Sequence, residues 1–186
     1  MPGQIKIDDG SGNYTILTNG GSLGSDKTIT IPNTTGTMAL TSDSFGKVLQ
    51  YVVATNAAVQ STTSTSYADI TNLTADITPS ATSSKVHIIF NDNFWINRSS
   101  TSLGGTYIIN KGGSDISATE HGPALIVDGN SGNKSLYLTN HFEYIDSPST
   151  TSSTTYKVRF KANSGTTFYS QQGNRTASLI LMELAG

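Results

Sequence analysis

Residues 85–96 read Lys85-Val86-His87-Ile88-Ile89-Phe90-Asn91-Asp92-Asn93-Phe94-Trp95-Ile96. Apolar side chains stand at every second position from Val86 to Phe90, which is the period of a β-strand with one face on a core. Apolar residues return at Phe94 after three polar residues, so the strand is expected to continue beyond them. The same alternation recurs in Tyr156-Lys157-Val158-Arg159-Phe160-Lys161. These stretches predict a sheet protein.

The rest of the chain supports an all-β fold. Ser and Thr make up more than a quarter of the 186 residues and there are 18 Gly, a composition that disfavours helices and favours strands and turns. About eight or nine strands separated by turns are expected after residue 46, which predicts a jelly-roll-like antiparallel β-sandwich. The closing strand, Leu179-Ile180-Leu181-Met182-Glu183-Leu184, is apolar on both faces, so we expect it centrally in a sheet or at a subunit interface.

The N-terminal segment differs from the rest because its strands are short and weakly apolar. We divide the chain into an anchoring and trimerising β module at residues 1–42, a linker at 43–46 and a sandwich head at 47–186. Burial at about 25 cal/mol per Å² cannot offset roughly 1–2 kcal/mol of backbone entropy per residue in such a small module. Association with other copies is therefore expected. The apolar positions of the module are Ile5, Ile7, Ile16, Ile29, Ile31, Met38 and Leu40.

Composition excludes several classes of function. A formal net charge of −2 disfavours nucleic acid as a partner, because a phosphate-binding face needs concentrated Lys and Arg. The absence of cysteine excludes disulfides, thiolate metal sites and cysteine nucleophiles. No apolar run reaches the roughly 18 residues that span a bilayer, and the first residues do not begin a signal peptide, so we expect synthesis in a cytoplasm, no membrane insertion and release by lysis.

No constellation for catalysis stands out. The chain lacks a G-x-S-x-G motif, and His87, His121 and His141 lack the spacing of a triad. None of the thirteen acidic residues forms a distinctive pair for glycoside cleavage. We therefore expect no enzyme, no catalytic residue and no cofactor.

A metal site is likewise not expected. Residues 128–133, Asp-Gly-Asn-Ser-Gly-Asn, resemble the start of a calcium loop. Position six of that loop would be Asn133 rather than Gly, and position twelve would be Thr139 rather than Glu. The stretch is interpreted as a hairpin turn.

One strand carries a row of cations that is a candidate surface for binding. Lys157, Arg159 and Lys161 alternate and therefore project from the same face. Such a row could bind anionic polysaccharide or lipid phosphate. The alternative, which surface charge runs favour, is an exposed solvated face balanced by Glu143, Asp146 or a neighbouring subunit.

Aromatic side chains give a second candidate surface. Trp95, and with it Tyr107 and Tyr169, could stack on sugar rings, although each lies in an apolar strand and could serve the core or an interface instead. Polar and glycine-rich character predicts four candidate contact loops. They are residues 97–104, 111–122, 128–133 and 173–176.

The N-terminal motifs carry a resemblance to a known family. Asp9-Gly10-Ser11-Gly12-Asn13-Tyr14-Thr15-Ile16, followed by Ile29-Thr30-Ile31-Pro32-Asn33-Thr34-Thr35-Gly36-Thr37-Met38-Ala39-Leu40-Thr41, resembles a module of bacteriophage tail-fibre and virion-fibre proteins. The resemblance implies an intertwined homotrimer on the virion surface, with the module near the axis and a jelly-roll head. The implied partners are other copies, another virion protein bound through the module, and a host-surface glycan. The module occurs once and no long shaft follows.

Three functions follow from these observations. The first is a phage virion structural protein, a short trimeric fibre or knob whose head attaches to the host surface. The second is a capsid decoration or cement protein that stabilises the shell. The third is a polysaccharide-degrading spike, for which the chain is short and lacks a distinct acid pair.

Overall fold

The computed structural model describes residues 5–8, 11, 14–17, 47–98, 102–122, 126–127, 134–171, 173 and 175–186. These residues contain β-strands and no helix. The strands are β1 (Ile5–Asp8), β2 (Tyr14–Leu17), β3 (Val48–Asn56), β4 (Gln60–Thr62), β5 (Ala68–Ile77), β6 (Lys85–Arg98), β7 (Ser102–Leu103), β8 (Gly105–Lys111), β9 (Ser114–His121), β10 (Ile126–Val127), β11 (Lys134–Asp146), β12 (Thr154–Ala162), β13 (Thr166–Ser170) and β14 (Ala177–Leu184).

The chain divides into two compact units, Met1–Leu40 and Thr41–Gly186. In the first unit β1 and β2 form an antiparallel pair, with Ile5 opposite Leu17 and Asp8 opposite Tyr14. Two of the four short strands predicted for this segment are therefore present. The other two, and the predicted linker at 43–46, lie outside the described residues.

The second unit contains a six-stranded sheet organised around β6. One edge of β6 pairs with β11, from Val86 opposite Asp146 to Arg98 opposite Lys134. The other edge pairs with β14 over residues 85–91 and with β13 over residues 95–98. β3 then pairs with β14, and β4 pairs with β13. Consequently β11 forms one side of this sheet, and β3 and β4 form the other.

A four-stranded antiparallel sheet, in the order β5-β12-β8-β9, is the second layer. β8 and β9 are joined by Gly112 and Gly113, whose φ angles of 56° and 93° suit a two-residue hairpin turn that needs positive φ twice. The prediction of a contact loop over 111–122 was wrong, because β9 occupies most of that range. Its side chains alternate weakly, but β8 supplies the hydrogen-bonding partner.

The core lies between the two sheets and confirms the all-β sandwich predicted from alternation. β14 lies between β3 and β6, which confirms the first of the two places expected from its two apolar faces, a central position in a sheet. Val86, Ile88 and Phe90 face inward as expected, and β6 runs unbroken through the polar triplet. The largest fully buried side chains are Tyr156, Phe90, Phe160, Phe168, Ile70, Leu73, Ile77, Ile88, Ile96, Ile109 and Leu179.

A close aromatic contact fixes the distance between the sheets. Phe168 on β13 is fully buried and contacts the rings of Phe94, Tyr107 and Phe160. A Cβ placed on Gly105 would lie 2.3 Å from the Cδ1 atom of Phe168. Only glycine therefore lets the Phe168 ring lie against the backbone of β8.

A buried carboxylate secures the turn between β5 and β6. Glu183 Oε1 accepts hydrogen bonds from Ser80 N, Ser80 Oγ and Ser84 Oγ at 2.6–2.7 Å, and Glu183 Oε2 accepts one from Gln50 Nε2 at 2.8 Å. Burial raises the pKa of Glu183, but these hydrogen bonds outweigh it and the pKa lies below its usual value. This glutamate thus ties β14 to β3 and to the turn.

No helix in the described part of the chain combines the length and apolar character needed to cross a membrane.

Candidate functional site

The outer face of the six-stranded sheet, which points away from the core, is the most distinctive surface among the described residues. Strand register places its side chains in rows that cross the sheet. One row is Val53–Ile180–Ile89–Glu143 and the next is Tyr51–Met182–His87–Ile145. Further along β6, Asn91 lies opposite His141, Asn93 opposite Thr139, and Trp95 opposite Tyr137. The face therefore has an apolar half and a polar, aromatic half.

We call the apolar half the apolar patch, made up of Leu49, Tyr51, Val53, Ile89, Ile145, Ile180 and Met182. Tyr51 is 62% exposed, Val53 44% and Ile145 55%. Tyr51 and Val53 lie on β3 and Ile145 lies on β11 at the other side of the sheet, and the half-buried side chains of Ile180, Met182 and Ile89 lie on the two strands between them. Apolar side chains grouped on an outer sheet face are a candidate interaction surface.

One polar pair interrupts the apolar patch on the side of β11. His87 Nε2 lies 3.2 Å from Glu143 Oε2. Glu143 points to this histidine and not to the cations of β12, so the balance by Glu143 or Asp146 suggested for those cations is not observed. Asp146 instead accepts hydrogen bonds from Lys111 and from the hydroxyl of Tyr156.

The aromatic row crosses the other half of the outer face and consists of Tyr169, Trp95 and Tyr137. The Trp95 ring lies 4.2 Å from Tyr169 and 5.6 Å from Tyr137, with interplanar angles of 19° and 1°. Both faces of Trp95, the only tryptophan of the chain, are therefore covered by tyrosines. These contacts favour the alternative that Trp95 serves the packing of the sheet, and sugar binding by Trp95 stays a prediction, whereas Tyr137 is 59% exposed. Tyr107, considered with them, lies in the core.

A pocket of about 330 Å³ lies beside the aromatic row. We call it the Arg175 pocket. Asn93 Oδ1 accepts hydrogen bonds from Thr139 Oγ1 and from Arg175 Nη1, both at 3.2 Å. Residue 175 belongs to the range 173–176 that the sequence selected as a contact loop. The lining residues are Asn93, Phe94, Tyr137, Leu138, Thr139, Gly173 and Arg175.

The basic row of Lys157, Arg159 and Lys161 lies on the outer face of the four-stranded sheet. Lys157 Nζ lies 3.0 Å from Asp69, and Arg159 Nη1 lies 2.7 Å from Asp115. Arg159 also contacts Asp69 at 3.0 Å, so two acids surround it. Lys161, the third cation of the row, is also paired with an acid.

Lys161 binds Glu120 at 2.9 Å and stands 4.4 Å from the centre of the Tyr67 ring, whose hydroxyl also donates to Glu120. The hydrogen bonds from Lys161 and Tyr67 lower the pKa of Glu120. Partial burial raises the pKa of Asp115, but the hydrogen bond from Arg159 outweighs it and lowers that pKa overall. The three cations are thus offset by three acids. Binding of a surface anion by the basic row stays a prediction. These ion pairs make it less favourable, because they neutralise the charge that would attract the anion.

Asp92 is a buried acid that the sequence reading did not single out. It lies on the core side of β6 and accepts hydrogen bonds from Tyr107 Oη at 2.5 Å, Ser170 Oγ at 2.7 Å and Gln171 N at 3.0 Å. Burial raises its pKa, and these hydrogen bonds offset the shift only in part. A perturbed acid is a hallmark of active sites, but Asp92 is fully buried and no solvent or substrate reaches it. Its role is structural.

The remaining candidate residues are placed as follows. His87 lies on β6 and His141 on β11, and no group of three or more metal-ligating side chains occurs in the described ranges. Of the module positions, Ile5 and Ile7 lie on β1 and Ile16 on β2. The remaining positions, Ile29, Ile31, Met38 and Leu40, lie outside the described residues.

The chain matches no protein-family model and no curated protein. Among solved structures it is similar to a chain of the "Structure of infectious bursal disease virus Gx strain", with 14% identity and a TM-score of 0.30. The matched region covers 80% of this chain and 42% of that viral chain, so this chain spans less than half of its length. A likeness at this level assigns neither family nor function.

Proposed function

We propose that this chain is a bacteriophage virion structural protein, a short homotrimeric fibre or knob. In this proposal the N-terminal module anchors it to another virion protein and its sandwich head attaches to the host surface. The observation that carries the proposal is the apolar patch, because its exposed side chains Leu49, Tyr51, Val53 and Ile145 lie on the outer face of a sheet and are expected to be covered in the working protein.

Other copies of the chain are the occupants that best suit the patch. β3 and β11 lie on opposite sides of the six-stranded sheet, and neither pairs with a further strand in the described part of the chain. Contact between the β3 side of one copy and the β11 side of the next is heterologous, and such contacts close into a ring when the rotation allows. The resemblance to fibre proteins implies a ring of three copies.

Association also supplies what the composition lacks. The chain has no disulfides, since it has no cysteine, and the sequence of the N-terminal module offers few apolar side chains for burial. A virion protein exposed outside the cell needs durability, and shared apolar surface provides it without covalent cross-links. Ion pairs such as Lys157–Asp69 are exposed and contribute little.

The first test is the mass of the purified full-length chain in sedimentation velocity. A species of three times 19.6 kDa supports the proposal, and a species of 19.6 kDa at every concentration overturns the trimer. The second test is immunogold electron microscopy of particles made in a host that expresses the chain. Label on fibre tips supports attachment. Label spread over the shell replaces attachment with capsid decoration, and unlabelled particles overturn the virion assignment.

A further inference from the structure

The Arg175 pocket differs from the apolar patch in both shape and chemistry. Its volume of about 330 Å³ is at the small end of the range of ligand sites, which is about 300–1,000 Å³. It combines an aromatic ring, a guanidinium, an amide and a hydroxyl, the donors and surfaces that a polyhydroxylated ring can use. With Phe94 and Leu138 also in its lining, it suits a small ligand that combines polar groups with an apolar face.

Arg175 gives the pocket a positive charge that the described chain does not neutralise. No carboxylate among the described residues lies within ion-pair distance of its guanidinium, in contrast to Arg159, which contacts two acids. Arg175 is exposed and, among the described residues, donates one hydrogen bond, to Asn93. A guanidinium has five N–H donors in a planar fork, so the others are free to bind a carboxylate in two-point fashion.

Tyr137 gives the pocket a flat apolar surface that is already fixed in place. Its ring is parallel to Trp95, which is held in turn by Tyr169. Because β11 is the outermost strand, no further described strand lies beyond Tyr137. Because this side chain is already ordered, less conformational entropy is lost when a ligand binds.

Asn93 completes the recognition surface. Its Oδ1 atom accepts hydrogen bonds from both Thr139 and Arg175, which directs its amide nitrogen away from them. That nitrogen donates to no acceptor in the described part of the chain and can bind a ring hydroxyl. The donors and the ring thus lie within one concave surface.

From this geometry we infer that the Arg175 pocket binds an acidic saccharide, with the pyranose ring on Tyr137, the carboxylate on Arg175 and a hydroxyl on Asn93. The inference gives the ligand class of the attachment surface and therefore rests on the proposed function. Nucleic acid does not fit, because a phosphate backbone needs several cations and the pocket offers one.

The test uses the full-length chain and its built-in reporter, the single tryptophan Trp95, which stacks on Tyr137. Trigalacturonate, a glucuronate disaccharide and sialyllactose are titrated while Trp95 fluorescence and calorimetric heat are recorded. The methyl ester of trigalacturonate keeps the rings and removes the charge. We expect at least one acid to bind, and its uncharged counterpart to bind about tenfold more weakly or worse.

Variants distinguish the two recognition elements. Arg175→Gln is expected to weaken the acid by about tenfold or more and to leave the ester unchanged, whereas Tyr137→Ala weakens both. Lys85→Gln removes an exposed cation from the far end of β6 and should change neither. Sedimentation of every variant shows whether assembly is retained.

Several results overturn the inference. They are the absence of binding by all three acids at about 10 mM, equal affinity for acid and ester, and full competition by inorganic phosphate alone, which indicates an anion site without sugar recognition. If the chain still assembles in those cases, the proposed virion role survives. A chain that binds the acid but sediments as a monomer has the saccharide site without the trimer.

Discussion

Removal of apolar side chains from the apolar patch should dissociate the assembly without unfolding the head. The informative variant is Tyr51→Thr combined with Val53→Thr, because threonine is well tolerated in strands and both side chains point away from the core. Each protomer should therefore keep its stability to within about 1 kcal/mol, the span of strand preferences. Under the proposed assembly both side chains are buried only between copies, so association should fall.

The size of the effect follows from the exposed fractions. A tyrosine buries about 150–250 Å², so covering the 62% of Tyr51 that is exposed removes about 90–155 Å² from water. At about 25 cal/mol per Å² this is worth about 2–4 kcal/mol as an upper bound. The 44% exposed Val53 adds about 0.7–1.3 kcal/mol. Since threonine retains part of this surface, we expect a loss of about 2–4 kcal/mol per interface, a weakening of about 30- to 1,000-fold.

Sedimentation velocity over a concentration series measures the association, and urea denaturation monitors the protomer. Thr55→Ser, on the same face of β3 but beyond the apolar patch, is the matched control and should assemble like the parent chain. Equal association constants for the double variant and the parent would refute assembly through this patch. A double variant that is unfolded would refute the assignment of these side chains to an outer surface.

Three further predictions concern the head itself. Gly105→Ala should lower the free energy of unfolding in urea by about 1–3 kcal/mol, because its methyl group meets Phe168, and Phe168→Leu in the same chain should recover part of the loss; no change would refute that contact. The pKa of Glu183 is lowered in the folded state, so its contribution to folding stability is present above its unfolded pKa near 4.5 and is lost as pH falls through the folded value. Glu183→Gln should therefore lower the free energy of unfolding by about 1–3 kcal/mol at neutral pH and by less in acid. A loss that does not depend on pH would contradict this. The pKa of Asp92 is raised instead, so the folded state keeps the carboxyl protonated to higher pH and stability falls as pH rises from about 3.8 through the folded pKa. Asp92→Asn should therefore become more stable relative to the parent chain between pH 4 and pH 7. Parallel stability profiles of the two chains over this range would refute the prediction.

Local patterns predicted the architecture because strand formation and burial have a short-range signature. The alternation in Tyr156–Lys161 gave a correct strand with its inward face, and the two-sided apolar character of Leu179–Leu184 gave its central place. Strand β9 was missed because Ser114–His121 has little alternation, and its position depends on pairing with β8. Pairing is not encoded in composition.

The surface features depended on partners far away in sequence. Lys157 meets Asp69 across 88 residues and Arg159 meets Asp115 across 44, so the ion pairs follow from the order of strands and not from any local motif. Trp95 was identified as an aromatic of interest, but the tyrosines that cover both its faces come from β11 and β13. In the sequence Asp92 is one of three consecutive polar residues within an apolar strand. Its buried position was not predictable because its hydrogen-bonding partners, Tyr107 and Ser170, are distant in the sequence.

The position of β14 between β3 and β6 has a consequence for the order in which the chain can fold. Gln50 and Glu183 are in contact although 133 residues separate them, and β3 gains its neighbour in the sheet only when β14 has been synthesised. Until then β3 and one edge of β6 offer unpaired backbone groups next to apolar side chains. Folding that waits for such distant contacts is slow and exposes edges prone to wrong pairing. When several ribosomes translate one mRNA, the nascent chains are therefore expected to be most prone to aggregation just before residues 177–184 emerge from the ribosome.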